Sequence, residues 1–115
     1  MKLEDIVRKL DLEIAAGEES LDREVTRGYA SDLMSDVIAN AEEGDIWVTL
    51  QTHLNTVAVA SMKELAGIVL INGRRPEQET LKRAVQEAMP ILVSPLSAFE
   101  VVGRLYGFGI TGMKG

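Results

Sequence analysis

The histidine of this chain, His53, lies in the polar segment Gln51-Thr52-His53-Leu54-Asn55. An imidazole titrates near neutral pH, so it acts as a general base where a hydroxyl lies beside it. Thr49 and Thr52 are hydroxyl residues close to His53 in the sequence. The segment "YASDLMSD" adds two serines and two aspartates, namely Ser31, Asp32, Ser35 and Asp36. One hypothesis is therefore a small hydrolase or transferase that uses His53.

Other features of the sequence favour a non-catalytic role for His53. The chain contains no G-x-S-x-G nucleophile motif and no cysteine. The spacing within "YASDLMSD" is also what a capped helix shows. A single histidine without an HExxH motif or an acidic calcium loop predicts no metal site. We expect no catalytic residue and no cofactor, and we rank the enzyme hypothesis last.

A second candidate site follows an apolar run, at Ile71-Asn72-Gly73-Arg74-Arg75-Pro76. Helix N-termini favour anions because their first N–H groups have no partner within the helix. A pair of arginines before a helix start in an acidic protein therefore predicts a site for a phosphate or carboxylate. The alternative, given equal weight, is that Asn72-Gly73 forms a turn and that both arginines face water.

The segment "GFGITG" matches the G-x-G-x-x-G pattern with Gly107, Gly109 and Gly112. A dinucleotide-binding motif must follow a strand and open a helix, whereas this segment follows a predicted helix. We therefore expect a helix end at Gly107 and a Gly-rich tail, residues 107–115, that is flexible or packed on a partner. Phe108 and Ile110 in this tail, together with a sheet edge, suggest a homodimer.

The composition fits one ordinary globular domain: 115 residues, 46% hydrophobic and 26% charged. The 18 acidic and 12 basic residues give a net charge of −6, which argues against nucleic acid and anionic membranes as partners. The charged start and the short apolar runs predict neither a signal peptide nor a membrane span. The sequence therefore predicts a cytoplasmic protein.

The hydrophobic pattern predicts an α/β fold. Apolar residues at helical spacing over Leu3–Leu10 precede short strands at Leu12–Ile14 and Val25–Tyr29. A helix capped by Ser31 or Asp32 is expected to bury Leu33, Met34, Val37, Ile38 and Ala41. Strands at 46–50, 67–71 and 90–93 then alternate with helices at about 55–64, 77–88 and 97–106. This alternation predicts a single domain with a mainly parallel sheet, built from βαβ units with helices packed on it.

The loops that leave parallel strands lie at one edge of the sheet, where ligands bind in such folds. We expect Asn55 to cap one helix, Pro76 to occupy the first turn of the next, and Ser97-Ala98-Phe99-Glu100 to form a capping box. Six residues of these loops form the predicted ligand site: Thr52, His53, Asn55, Asn72, Gly73 and Arg74.

The stretch "GYASDLMSDVIANAEEGDIWVTLQTHLNTVAVASMKELAGIVLINGRRPEQETLKRAVQEAMPILVS" resembles the DRTGG domain. The resemblance covers residues 2–106 and is most specific over 28–60. Asp22-Arg23 and Thr26-Arg27-Gly28 echo the naming motif loosely, so they carry no role. Similar domains accompany CBS domains in some pyrophosphatases and occur in some phosphotransacetylases. The resemblance implies a fold like the N-terminal domain of HPr kinase/phosphorylase, with a DRTGG-like domain at 1–106 and a tail at 107–115.

The resemblance implies an accessory or regulatory domain rather than a kinase, and the chain has no G-x-x-x-x-G-K-[ST] motif. The first hypothesis is therefore a non-catalytic regulatory or ligand-sensing module that binds an anionic metabolite or nucleotide at the carboxyl edge of the sheet. The alternative is a protein-interaction or structural subunit of a separate partner enzyme.

Overall fold

A computed structural model describes residues 1–113 and has an α/β fold, as predicted. A five-stranded sheet carries helices on both faces. The helices are α1 (Leu3–Leu10), α2 (Met34–Asn40), α3 (Leu54–Met62), α4 (Gln78–Glu87) and α5 (Ala98–Gly107). The strands are β1 (Glu13–Ala16), β2 (Arg27–Ala30), β3 (Asp45–Thr49), β4 (Gly67–Leu70) and β5 (Ile91–Val93).

The strand order in the sheet is β1-β5-β4-β3-β2. Strands β2 to β5 are parallel and follow one another in both sequence and space, and β1 adds an antiparallel strand beside β5. This arrangement is the predicted series of βαβ units. Because four consecutive strands run in the same direction, the loops after them all lie at the same edge of the sheet.

The central strands are buried on both faces, which explains why they read as continuous apolar runs. On one face, alternate residues of β3 and β4 pack against α1 and α5 through side chains that include Leu3, Ile6, Val101 and Leu105. On the other face, Trp47, Ile68 and Leu70 pack against α2, α3 and α4 through Val37, Val57, Ala60 and Ala84.

Helix α2 differs from its prediction. The helix begins at Met34, and Leu33 is its N-cap residue with an extended backbone. Leu33 is 64% exposed and Ile38 is 43% exposed, so the prediction that both are buried is wrong. In this short helix Val37 points at the sheet, and a rotation of about 100° per residue carries Ile38 away from it.

Of the starts that the sequence predicted for α3, α4 and α5, only the start of α5 is confirmed. The Ser97 Oγ accepts a hydrogen bond from the Glu100 amide at 3.4 Å, as the capping box predicts. The cap predicted at Asn55 is wrong, because α3 begins at Leu54 and His53 is its N-cap residue. Pro76 is also misplaced in the prediction, because Glu77 is the N-cap residue of α4 and Pro76 precedes it.

The segment after α5 returns to the sheet. The helix ends at Gly107, as predicted, and Gly109 has a φ of +99° that suits the turn. The Thr111 carbonyl accepts a hydrogen bond from the Gly28 amide at 2.9 Å, at the outer edge of β2. Ile110 is buried in the same chain, so it is not available for the predicted dimer contact. The last two tail residues, 114 and 115, lie outside the described residues.

No helix of residues 1–113 is both long enough and apolar enough to cross a membrane.

Candidate functional site

Four segments follow the parallel strands and meet at the carboxyl edge of the sheet: residues 31–33, 50–53, 71–77 and 94–97. We call them the carboxyl-edge loops. Hydrogen bonds join each loop to the next in the order of the strands. Three of these segments were predicted to meet here, and 31–33 is an addition.

Asp32 joins the first loop to the second. Its Oδ1 accepts hydrogen bonds from the Thr49 hydroxyl at 2.8 Å and from the Leu50 amide at 2.7 Å. The Gln51 side-chain amide donates to the Asp32 carbonyl at 2.7 Å. Asp32 therefore holds the start of the His53 loop, whereas the sequence suggested a helix cap or a catalytic carboxylate. The signal for this role was the pair of polar residues, Ser31 and Asp32, that directly follows β2.

We expect Asp32→Ala to lower the free energy of unfolding by about 1.5 kcal/mol, because the buried Thr49 hydroxyl and the Leu50 amide lose a charged acceptor. Urea unfolding measures the change, and amide hydrogen exchange at Leu50 is expected to accelerate. Glu19→Ala removes an exposed carboxylate that has no side-chain partner among residues 1–113, so it serves as the control. Equal stability of the two variants would contradict this role of Asp32.

Thr52 and His53 are attached to the start of α4. The Thr52 carbonyl accepts hydrogen bonds from the buried Thr80 hydroxyl at 2.8 Å and from the Glu77 amide at 3.3 Å. The His53 Nδ1 lies 2.7 Å from Glu77 Oε2, and both side chains are more than half exposed. Within residues 1–113 the partner of His53 is thus a carboxylate, and no hydroxyl is hydrogen-bonded to the imidazole.

Asn72 and Gly73 form the turn that the sequence predicted, with φ values of +55° and +67°. Their amides donate to the carbonyls of Leu96 and Ser94, each at 2.8 Å. These two N–H groups are therefore already used to join the β4 and β5 loops. A ligand here meets the Asn72 side chain, while Gly73 supplies a left-handed backbone conformation that other residues adopt at a cost.

The two arginines of this loop have different surroundings. Arg75 forms an ion pair with Glu13 of β1, and this hydrogen bond holds the pKa of the Glu13 carboxyl below its ordinary value. Arg74 is exposed, and its guanidinium has no partner among residues 1–113. The structure thus leaves one cation of the pair available at the carboxyl edge.

Unpaired backbone donors lie at the start of α3. The Thr56 amide donates to the His53 carbonyl at 3.0 Å, whereas the amides of Leu54 and Asn55 have no acceptor within residues 1–113. The His53 side chain does not cap them. The Asn55 side chain lines a groove between α2 and α3, together with Met34 and Ala58. Asn55 therefore offers its backbone N–H at the carboxyl edge.

A larger groove of about 1310 Å³ lies at the opposite, amino edge of the sheet. It is lined by residues of both charges, among them Arg23, Glu43, Lys63 and Glu64. None of the six predicted site residues lines this groove, and the sequence did not predict it. Within residues 1–113, His, Asp and Glu side chains form no group of three or more that could hold a metal ion.

The comparisons with known proteins concern the fold. No protein-family model matches this chain, and no curated protein matches it. A similar solved structure contains the CBS and DRTGG domains of the regulatory region of Clostridium perfringens pyrophosphatase, complexed with its activator diadenosine tetraphosphate. The TM-score is 0.69 at 16% sequence identity, and the match covers 98% of this chain.

The match covers 47% of that structure's chain, so the present chain spans about half of it. At 16% identity the likeness concerns the fold, and it confirms the predicted resemblance to a DRTGG-like domain at that level.

Proposed function

We propose that this domain is a non-catalytic regulatory module that binds an anionic ligand at the carboxyl edge of its sheet. The observation that carries the proposal is that a cation without a partner and backbone donors without an acceptor lie at the same edge of the sheet. Arg74 has no partner among residues 1–113, and the first two amides of α3 have no acceptor there. Together these groups favour a negative charge.

In the proposed complex each predicted residue has a distinct task. The amides of Leu54 and Asn55 hold the anion at the start of α3, and the guanidinium of Arg74 pairs with its charge. Thr52 and His53 orient the ligand from the neighbouring loop. Asn72 contributes its side-chain amide, and Gly73 keeps the Arg74 loop in its turn.

A nucleotide is the ligand class that we favour. The Clostridium perfringens structure, 47% of whose chain is matched by this domain, is a complex with diadenosine tetraphosphate. A nucleotide carries several phosphate charges, so it can reach both the start of α3 and Arg74.

We expect a nucleotide to raise the thermal unfolding midpoint of the domain by several degrees. A ligand at about 100 times its dissociation constant stabilises the folded state by about 2.7 kcal/mol. Thermal unfolding and isothermal titration calorimetry with diadenosine tetraphosphate, ATP and inorganic phosphate measure the effect. Inorganic phosphate separates general anion binding from nucleotide binding. If none of the three probes binds, the proposed function is wrong.

A second candidate function is that of a protein-interaction subunit of a separate enzyme, in the cytoplasm. The observation that favours it is the exposed apolar surface on α2 and α3, which includes Leu33 and Met62. This candidate predicts no response to nucleotides and a stable complex with the partner enzyme. Co-purification from cytoplasmic extract, followed by reconstitution from the purified proteins, distinguishes the two candidates.

A further inference from the structure

The ion pair between His53 and Glu77 joins two helix starts at the carboxyl edge. His53 is the N-cap residue of α3, and Glu77 is the N-cap residue of α4. The imidazole Nδ1 lies 2.7 Å from Glu77 Oε2, and both side chains are more than half exposed. The amides of Leu54 and Asn55, which have no acceptor within residues 1–113, follow His53 directly. A carboxylate is therefore bound to the residue that precedes the proposed anion donors.

The hydrogen bond with Glu77 determines which nitrogen of the imidazole is left for a ligand. A carboxylate oxygen has no proton to donate, so Nδ1 carries the proton of this bond. The opposite nitrogen, Nε2, has no partner among residues 1–113. In the neutral imidazole Nε2 is an acceptor and repels the oxygen of an anion, whereas in the imidazolium it is a donor. Protonation of Nε2 therefore makes its contact with an anion attractive.

Protonation of His53 also changes the charge of the site. With a neutral imidazole, the pair carries the negative charge of the Glu77 carboxylate, which opposes an incoming anion. With an imidazolium the pair is neutral, so the positive charge of Arg74 is no longer offset by Glu77. The electrostatic attraction of this edge for an anion therefore increases when His53 takes up a proton.

Other charged side chains near His53 do not contact the imidazole. Helix α3 contains no Lys, Arg, Asp or Glu. Apart from Glu77, the charged residues of the carboxyl-edge loops and of the first turn of α4 are Asp32, Arg74, Arg75 and Glu79. None of the four forms a hydrogen bond or ion pair with the imidazole within residues 1–113. Glu77 is thus the titratable group in contact with His53.

We propose that the His53–Glu77 pair couples ligand binding at the carboxyl edge to the uptake of a proton. The inference rests on the proposed function and adds the regulation of the same site. An imidazole titrates near neutral pH, so the domain binds its anionic ligand more tightly as the pH falls from about 8 to about 6. In the complex the imidazolium donates to Glu77 through Nδ1 and to the anion through Nε2, and the solvent supplies the proton.

Calorimetric titration of the full chain at low and high pH tests the coupling, with probes whose own charge is constant in this range. Diadenosine tetraphosphate and inorganic sulfate meet this condition, whereas the terminal phosphate of ATP takes up a proton at about pH 6. For the wild type we expect an affinity about 10-fold higher at about pH 6 than at about pH 8. Titrations in two buffers with different ionisation enthalpies are expected to show net uptake of protons on binding.

Two substitutions assign the effect to this pair. His53→Gln retains a hydrogen-bond donor but does not titrate, so its affinity is expected to be the same at both pH values. Glu77→Gln removes the opposing charge, so it is expected to bind more tightly than the wild type at the higher pH. The matched control is Glu79→Gln, which removes an exposed carboxylate from the first turn of α4 and is expected to change the affinity less.

The pH profile of the wild type relative to that of His53→Gln decides the inference. This ratio cancels any protonation of the probe itself, so ATP serves as a third probe. An affinity of the wild type that does not change with pH, or a pH dependence that His53→Gln retains, overturns the inference and leaves the proposed function standing. If no probe binds the wild type at either pH, the proposed function and the inference are both wrong.

Discussion

Asp45→Asn is expected to lower the free energy of unfolding by about 3 kcal/mol. The Asp45 side chain is fully buried at the amino edge of β3, and its carboxylate forms two hydrogen bonds with Arg27 of β2, at 2.7 and 3.0 Å. The carboxylate also accepts a hydrogen bond from the Glu42 amide at 2.8 Å. An amide in its place keeps the shape but removes the negative charge and turns a donor towards other donors.

The expected loss of stability is large because other contacts hold the Arg27 side chain in its buried position. Its side chain is only 11% exposed, and its guanidinium also donates to the carbonyls of Asn40 and Gly112. The hydrogen bond with Asp45 raises the pKa of Arg27 above its ordinary value in the wild type, and an arginine side chain stays charged even without this bond. In the variant Glu42 still lies 3.9 Å from Arg27, but the guanidinium loses two hydrogen bonds to a buried carboxylate, so its desolvation is offset only in part.

Urea unfolding at a fixed pH measures this change, with the m-value checked for two-state behaviour. The matched control is Asp5→Asn, which removes the exposed ion pair with Arg8 and is expected to change the stability by less than about 0.5 kcal/mol. Because Asp45 lies at the edge opposite the proposed ligand site, nucleotide affinity of the folded protein is expected to stay unchanged. A loss below about 1 kcal/mol would contradict the assigned role of this pair.

The sequence predicted the sheet and its helices because local patterns determine them. The apolar runs around Ile68 and Leu92 could be recognised as strands buried on both faces, and the run around Trp47 as a strand, with helices of about ten residues between them. The common edge of the loops followed from the parallel order of the strands. The strand order predicted from the sequence therefore indicated where the candidate site lies, although it predicted no side-chain contact.

The pairing of polar groups could not be predicted, since it depends on contacts distant in sequence. Arg75 pairs with Glu13, 62 positions away, so the two adjacent arginines have different surroundings. Nothing in the local sequence marks Asp45 as the buried partner of Arg27, which lies 18 positions away. The amides of Asn72 and Gly73 are donors to the β5 loop, and only the relative placement of two loops reveals this.

Arg74→Glu is expected to weaken nucleotide binding about 100-fold, which corresponds to about 2.8 kcal/mol. The variant removes the cation that has no partner among residues 1–113 and puts a negative charge beside the proposed phosphate position. The fold should be unaffected, because the Arg74 side chain is exposed and forms no hydrogen bond or ion pair within the described chain. Its backbone amide, which donates to the Ile71 carbonyl at 3.0 Å, is retained.

Calorimetric titration with the nucleotide that binds the wild type most tightly measures the loss. The matched control is Lys63→Glu, which makes the same change of charge after the end of α3, at the opposite, amino edge of the sheet. Net charge alone would weaken binding equally in both variants, and this long-range part would shrink at high salt. The titrations are therefore repeated at low and at high salt. If Arg74 contacts the ligand, only Arg74→Glu loses most of its affinity, and it does so at both salt concentrations. Equal affinities of the two variants would remove Arg74 from the site and leave the start of α3 as the remaining position for the anion.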